Sequence, residues 1–463
     1  MIELVKRAAF PPLLLLVVFS CGAALAQEKE QPEKTGGRPP ASVYANLVFS
    51  GPKLVTDGLD SVTDNDFRII SNDAALQTAS VNNIESIRQY KAVIDELELE
   101  GGAWGQGLAQ ELTALGSLHQ QQGTYLEAVE VYTRAMHVSR VNYGLDNLEQ
   151  VPVVEQLIGS HVALGQWEKA DQLHSYLYYT QKKAFGANDP RMIPVLDRLA
   201  KWSLSVFNVG YGEAVGLRLL TAFYSFRAAS DIVSTHFGEE DERFVNYLRD
   251  MAATAYLVAR NPALMEEATR PEYRNVQDMF EDKINQIDGI NPSGYADGLK
   301  ALERIVARYA DKGDAPVEHA QALTGLADWY LLFDRRRTAA GYYRDAFNIL
   351  SEQENNEELI QNNFGEVKLI PELTANILQL NSENKSDQAQ NPTSETGVID
   401  VSFDVTSYGA VTNFKMLTEE TDNNSRVLTA LRRNVRNRIF RPRVVAGKME
   451  RTRDNHFRYR YWY

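Results

Sequence analysis

Residue types recur along this chain at a fixed offset of 42, and few features limit a fold as tightly. Gly123 pairs with Gly165, Ala128 with Ala170 and Gly144 with Gly186. Tyr125 pairs with Trp167, Tyr143 with Phe185 and Pro152 with Pro194, while Leu115, Leu157 and Leu199 form a series. Small residues, aromatics and a proline that keep one spacing point to a unit built several times over. Such units stack on their neighbours to bury a continuous core. Apolar residues recur at helical spacing inside each unit, and Gly123 and Gly165 interrupt them where a tight turn belongs. Each unit is expected to be a pair of packed helices.

The first clear unit carries Leu112, Leu115-Gly116, His119, Gly123, Tyr125, Ala128, Tyr132 and Ala135. The second carries Val154, Leu157, Gly165, Trp167 and Ala170, and a late one Leu323, Leu326-Ala327, Tyr330, Ala339, Tyr343 and Ala346. These spacings resemble the tetratricopeptide (TPR) helix hairpin. Gly116, Ala128 and Ala135 let two helices approach closely, and Tyr125 and Tyr132 fill the space between hairpins. The long period resembles the extended repeats of the kinesin light chain type. Between the clear units, helices are expected over 194–207, 213–235, 243–260 and 295–309, and a further apolar stripe runs from Ile84 to Leu97. Asn261-Pro262, Arg270-Pro271 and Asn291-Pro292-Ser293-Gly294 break the regularity.

After a segment rich in Asn, Ser and Gln (378–396), the period falls from helical to two. Val398, Asp400, Ser402 and Asp404 alternate with Ile399, Val401, Phe403 and Val405. Val411 to Leu417 makes a returning strand, Ser425 to Arg438 a helix, and Thr452 to Tyr463 a closing strand. In that last strand Phe457, Tyr459, Tyr461 and Tyr463 share one side, and His456, Arg458, Arg460 and Trp462 the other.

Gly397-Val398, Phe403-Asp404-Val405, Tyr408-Gly409-Ala410-Val411, Phe440-Arg441-Pro442, Gly447 and Tyr459-Arg460-Tyr461 resemble the C-terminal domain of TonB, the bacterial energy transducer. The resemblance covers 397–463. It implies an exposed final strand, Arg453 to Tyr463, that binds partners by β-strand addition, in which main-chain hydrogen bonds supply affinity. The expected fold is mainly α: a TPR-type α-solenoid over 42–377, a linker over 378–396 and a small α+β (β-β-α-β) domain over 397–463.

Lys6 and Arg7 precede an uncharged stretch from Ala8 to Ala26 that ends in Ala24-Leu25-Ala26. A positive end, a short apolar core and small residues before the cut form a secretory signal (1–26). Residues 27–41 then read as a flexible lead. Cleavage after Ala26 places the chain in the periplasm. An uncleaved inner-membrane anchor and a lipoprotein modified at Cys21 are the less favoured readings. The whole layout resembles a group of bacterial periplasmic TPR proteins.

Hydrophobic residues make up 44% of the 463 and charged residues 24%, which excludes a polytopic membrane protein and a wholly disordered chain. Cys21 is the one cysteine, so the folded part holds no disulfide, Cys-ligated metal or Cys nucleophile. Catalytic signatures are missing: there is no HExxH helix, nucleophile elbow or phosphate loop. The scattered histidines, His119, His161 and His174 among them, are expected to pack or cap rather than ligate. No enzyme, cofactor or metal site is expected.

Charge divides the chain. From Asn424 to Tyr463 there are 12 Lys+Arg and 2 Asp+Glu, a net of +10, which leaves −24 for the rest. An exported chain rarely meets nucleic acid, so no nucleic-acid partner is expected. The basic tail suits an acidic protein, an anionic envelope polymer or the chain's own acidic array. Candidate partner-binding residues on the concave array face are Gln110, Thr113, Ser117 and Gln120 in the first unit, and Gln321, Thr324, Asp328 and Leu331 in the late one. On the closing strand they are Arg453, Phe457, Tyr459, Tyr461 and Tyr463. The expected activity is that of a scaffold in the periplasm or at the outer membrane, with one partner on the array and another on the strand. The alternative is a TonB-like accessory in receptor-dependent transport.

Overall fold

A computed structural model describes residues 48–49, 53–54, 73–209, 215–268, 270, 294–310, 315–371, 396–419 and 425–462. The expected signal, the flexible lead, residues 378–395 of the linker and Tyr463 lie outside them. All described residues belong to one compact unit.

The first part is an array of helices: α1 (Asp73–Gly101), α2 (Leu108–Gln121), α3 (Tyr125–Tyr143), α4 (Val151–Ala163), α5 (Trp167–Phe185), α6 (Ile193–Val209) and α7 (Val215–His236). It continues through α8 (Glu242–Arg260), α9 (Pro262–Ala268), α10 (Tyr295–Ala310), α11 (Pro316–Leu332), α12 (Arg336–Ser351) and α13 (Asn356–Phe364). Helices α2/α3, α4/α5, α6/α7, α8/α10 and α11/α12 pack as successive pairs, a TPR-like solenoid. The expected helical spans fall within these elements, except that 213–214 of the span 213–235 lie outside the described set, as do residues 269 and 271–293.

One turn closes three of the hairpins. Gly123 and Gly165 take positive φ, and Asp334 takes the same place with φ 59. In each, the next amide donates back to the carbonyl five residues earlier: Thr124 to His119, Gln166 to His161 and Arg335 to Tyr330. That is the Schellman arrangement, which satisfies carbonyls the helix end would orphan. Between hairpins, Asn147, Asp189 and Asp241 accept from the backbone amides of Gln150, Arg191 and Arg243 and so cap the following helix turn. Arg191 and Arg243 also lie over the Phe185 and Phe237 rings at 4.2 and 4.3 Å.

Close packing explains the small residues. Ala128, Tyr132 and Ala135 are fully buried, as are Ala339, Tyr343 and Ala346. A Cβ on Gly116 would lie 2.5 Å from the Tyr132 ring. Helix α7 is buried on nearly every side, which matches its run of Leu, Ala and Phe.

The second part is a sheet with strand order β1–β9–β4–β5, in which β2 also pairs β9. Its strands are β1 (Val48–Phe49), β2 (Lys53–Leu54), β4 (Thr396–Val405), β5 (Val411–Met416) and β9 (Thr452–Trp462), all antiparallel. Helix α14 (Ser425–Arg436) covers one face. Ile399, Val401, Phe403, Val405, Phe457 and Tyr459 meet Val427, Leu428, Leu431 and Val435 there, as the period-two alternation requires.

Besides β1 and β2, four short strands were not foreseen. β3 (Lys368–Ile370) pairs with β6 (Ile439–Arg441), and β7 (Arg443–Val445) forms a hairpin with β8 (Lys448–Glu450). They join the two parts, for Ile370 and Val444 are buried in the array's core, and Ile439 and Met449 pack against it. Residues 368–370, expected within the array, thus pair with a strand of the C-terminal part.

Candidate functional site

The residues expected to bind partners lie in two places: the faces of the array helices, and β9.

In the first repeat, Gln110 is exposed and Thr113, Ser117 and Gln120 are half-buried. The Thr113 hydroxyl donates to the Ala109 carbonyl at 2.7 Å, and Ser117 to the Thr113 carbonyl at 3.0 Å. The Tyr132 hydroxyl reaches Ser117 Oγ and Gln120 Oε1, both at 3.1 Å. Burial raises the Tyr132 pKa, so the hydroxyl keeps its proton to donate. Three of the four expected contact residues are thus engaged within the protein. Gln110 and Gln156 remain exposed on α2 and α4.

The late repeat differs more. Gln321 is exposed, but Thr324, Asp328 and Leu331 are buried. The expectation that they face a partner is corrected. Thr324 Oγ1 accepts from Asn363 Nδ2 of α13 at 2.9 Å. Asp328 Oδ1 accepts from the Tyr343 hydroxyl at 2.5 Å. Arg441 Nε donates to Asp328 Oδ1 at 2.9 Å, its Nη2 donates to Oδ2, and its Nη1 reaches the Asn363 carbonyl at 3.4 Å. Asp328 is 7% exposed and Arg441 6%, so the pair is withdrawn from water. Burial, with Asp328 beside it, holds the Tyr343 hydroxyl well above the usual phenol range.

The repeat explains why the tail docks here. Tyr343 lies 15 residues after Asp328, as Tyr132 does after Ser117. One slot of the hairpin thus holds a serine in the first repeat and a carboxylate in the late one. A buried carboxylate needs a cation, and Arg441 supplies it. Strand alternation makes this possible, because neighbouring residues of β6 point opposite ways. Phe440 enters the sheet core, with ring centres 5.1 Å from Phe403 and 5.5 Å from Phe457. Arg441 turns to the array. Arg336 over the Tyr408 ring at 4.5 Å adds a second tie.

The closing strand also departs from expectation. Phe457 and Tyr459 are buried in the sheet core, 2% and 4% exposed, so their side chains do not face a partner. Tyr461 is half-buried against that core and stands opposite Gly397, where a Cβ would meet the Tyr461 hydroxyl at 2.5 Å. Arg453 is exposed, and Tyr463 lies outside the described residues. Nor is the strand a free edge. β4 pairs along one side of it, and β1 and β2 occupy the other at Tyr461–Trp462 and Phe457–Arg458. Sequence reasoning missed this because strands of two residues leave no alternation to detect.

The opposite edge of the sheet, β5, is short and distorted. Asn413 takes φ 50 and the β4–β5 register shifts between Ser402 and Asp404, a bulge that discourages further pairing. Asp404 anchors this region. It accepts from the Asp454 amide at 3.0 Å, and from Arg451 and Asn413 at 2.7 Å each. These donors, the Asp454 amide foremost, hold its pKa at about 2.

A third polar cluster ties α5, α6 and α7 together. Asp171 accepts from Trp202 Nε1 at 2.9 Å and from both terminal nitrogens of Arg218 at 2.6 and 2.8 Å. His174 stacks on Trp202 with ring centres 4.5 Å apart. Burial, reinforced by Arg198, lowers the His174 pKa to about 3, so the ring is neutral. His119 and His161 sit in the repeated hairpin turn, where each Nδ1 meets the side chain of the residue after the glycine: Thr124 Oγ1 at 2.9 Å and Gln166 Oε1 at 2.7 Å. Among the described residues, no helix is long and apolar enough to cross a membrane.

No protein-family model and no curated protein matches the chain. Among solved structures, it is similar to a Podosopora anserina chain described as kinesin light chain nearly identical TPR-like repeats, at 14% identity and a TM-score of 0.33, over 53% of this chain and 96% of that one. It is also similar to BtubC (BKLC) from P. vanneervenii, at 13% identity and a TM-score of 0.33, over 59% and 91%.

Proposed function

We propose that this chain is an exported, non-enzymatic scaffold of the bacterial envelope that holds one protein on its helical array and another on its C-terminal sheet. The observation that carries the reading is the antiparallel strand already seated on the outer edge of β9. That edge can complete a main-chain ladder, which is the chemistry of strand addition. The exposed Gln110 and Gln156 offer polar contacts on the array. The signal-like segment 1–26 supports export, and the TonB-like residues of 397–463 support an outer-membrane or periplasmic protein as the second partner. The net +10 of the last forty residues favours an acidic partner or an anionic envelope polymer.

Removing the C-terminal part is a poor test, because Val444 and Arg441 are built into the array. A photo-crosslinking residue placed in the full chain at Gln110, at Gln156 or at Arg453 is a better one. Two different envelope proteins are expected, one captured from the array positions and one from Arg453. Capture of no specific protein at either place overturns the scaffold. N-terminal sequencing of the mature protein should begin at Gln27, and Met1 at the start overturns the cleaved signal.

A further inference from the structure

We infer that the turn between α3 and α4 is a docking site for a partner segment that presents an arginine, held by the Tyr143 ring and the Glu149 carboxylate. This turn is neither of the two places proposed above, so the site stands or falls without them.

The chain shows twice what such a turn holds. After α5, Gly186 takes φ 89 and Asp189 caps the next helical turn. The Asp189 carboxylate also accepts from Nε and Nη2 of Arg191 at 2.8 Å each, and that guanidinium lies 4.2 Å over the Phe185 ring. After α7 the arrangement returns. Gly238 takes φ 87, Asp241 accepts from Nε and Nη2 of Arg243 at 2.9 and 2.7 Å, and the guanidinium lies 4.3 Å over the Phe237 ring. Ring, carboxylate and arginine form one unit, stacked and paired.

After α3 the backbone is the same and the arginine is missing. Gly144 takes φ 94 and Asn147 φ −71, against 89 and −74 at Gly186 and Asp189. Tyr143 stands 42 residues before Phe185, and Glu149 the same distance before Arg191. A side chain at 149 thus leaves the backbone where Arg191 leaves it to reach its ring. Tyr143 is 47% exposed and Glu149 is exposed as well. Among the described residues, neither the ring nor the carboxylate meets a cation. The nearby cations are committed elsewhere. Arg140 donates to Gln150 Oε1 at 3.0 Å and lies 4.6 Å over the Tyr176 ring, and Lys183 pairs with Asp146. Nor can Asn147 hold an arginine as Asp189 does. Its Oδ1 accepts from the Gln150 amide and the Ser139 hydroxyl, and its Nδ2 donates to the Ser139 and Gly144 carbonyls. The turn keeps a ring and, at Glu149, a carboxylate, and lacks the cation that completes the set elsewhere.

Partner chemistry follows from that set. A guanidinium can stack flat on a ring while its edge pairs with a carboxylate, and an ammonium cannot do both at once. Leu145 and Leu148 are exposed beside Tyr143 in sequence, where the third turn has Glu239 and Glu242. An arginine between apolar residues suits this surface better than a polybasic run.

The test uses the full chain with its tyrosine rings labelled for NMR, and the probe acetyl-Leu-Arg-Leu-amide. The Tyr143 signal, assigned by its loss in Tyr143→Phe, should shift saturably as the probe is added. The lysine counterpart should bind about fivefold more weakly, and the citrulline counterpart, which keeps the shape without the charge, should leave the signal in place. Glu149→Gln should weaken the arginine probe about fivefold. Asn147→Asp with Glu149→Arg rebuilds the second turn, and there the Tyr143 signal should no longer respond to the probe. If that double variant melts below the natural protein, Glu149→Gln, changed at an exposed position alone, decides. No saturable shift, equal binding of the lysine or citrulline counterpart, or unchanged binding by Glu149→Gln overturns the inference. A Tyr143 signal that moves with protein concentration alone means that a second copy covers the ring, and overturns it as well.

Discussion

Arg441 and Asp328 lie 113 residues apart and form a buried ion pair that joins the last array hairpin to the C-terminal sheet. The pair exists because a hairpin slot that holds Ser117 in the first repeat holds a carboxylate in the late one. Tyr343 and Asn363 complete the shell, so the charges are hydrogen-bonded as well as paired.

Breaking this pair from one side should be costly. Arg441→Met leaves Asp328 buried without its cation and should destabilise the protein by about 3–5 kcal/mol. Adding Asp328→Ser restores the chemistry of Ser117 and should recover most of that loss. Urea denaturation of both variants gives the answer, and a double variant as unstable as the single one would show that the slot does not tolerate serine here.

Two glycines, one on α10 and one on α12, should respond in opposite directions. A Cβ on Gly298 would run into Cη2 of the buried Trp329 ring, so Gly298→Ala should cost about 1–3 kcal/mol. A Cβ on Gly341 meets nothing within 4 Å, and Gly341→Ala should stabilise α12 by about 0.5–1 kcal/mol. Thermal melting that moves both the same way would contradict the packing described.

Acid sensitivity should begin near neutral pH. His174 is neutral in the fold, with a pKa of about 3, against about 6.5 in the unfolded chain. The unfolded state therefore binds a proton that the folded state refuses, and stability should fall as pH drops below about 6.5. Burial lowers the His119 and His161 pKa values in the same direction. The carboxylates of Asp189 and Asp241, held at about 2 by their arginines, lose their contribution only below about pH 4. The melting temperature should drop between pH 7.5 and 5, and His174→Phe, which can still stack on Trp202, should lessen the drop.

Overpacking the first hairpins tests the repeat register. Ala128 and Ala170 are fully buried, and Ala128→Leu or Ala170→Leu should cost about 1–3 kcal/mol. Unchanged melting would mean that these residues do not share one place in successive hairpins.

Period and alternation made most of the architecture legible. The 42-residue spacing marked Gly123 and Gly165 as turns because each needs a positive φ, and the rule is local. The alternation from Val398 to Val405 marked Ile399, Val401, Phe403 and Val405 as core for the same reason. The candidate site was less legible because it depends on contacts between distant segments. Thr324 and Asp328 were expected on an open face, but α13 and Arg441 cover them. A trace was there in Asp328, a carboxylate in a slot where the earlier repeat has Ser117. For β9 the exposed edge was expected from the resemblance, and its occupants, Val48–Phe49 and Lys53–Leu54, are too short to announce themselves by pattern.

The seating of β1 also has a mechanical meaning. Val48 stands opposite Trp462, so the first residue of β1 and the last described residue of β9 lie at the same corner of the sheet. Tension between them would load the ladder one rung at a time, as in opening a zipper, rather than shearing all its bonds together. A molecule held at one of these points and tugged at the other would shed β1 first under a small pull, with the array and its buried Arg441–Asp328 joint still intact.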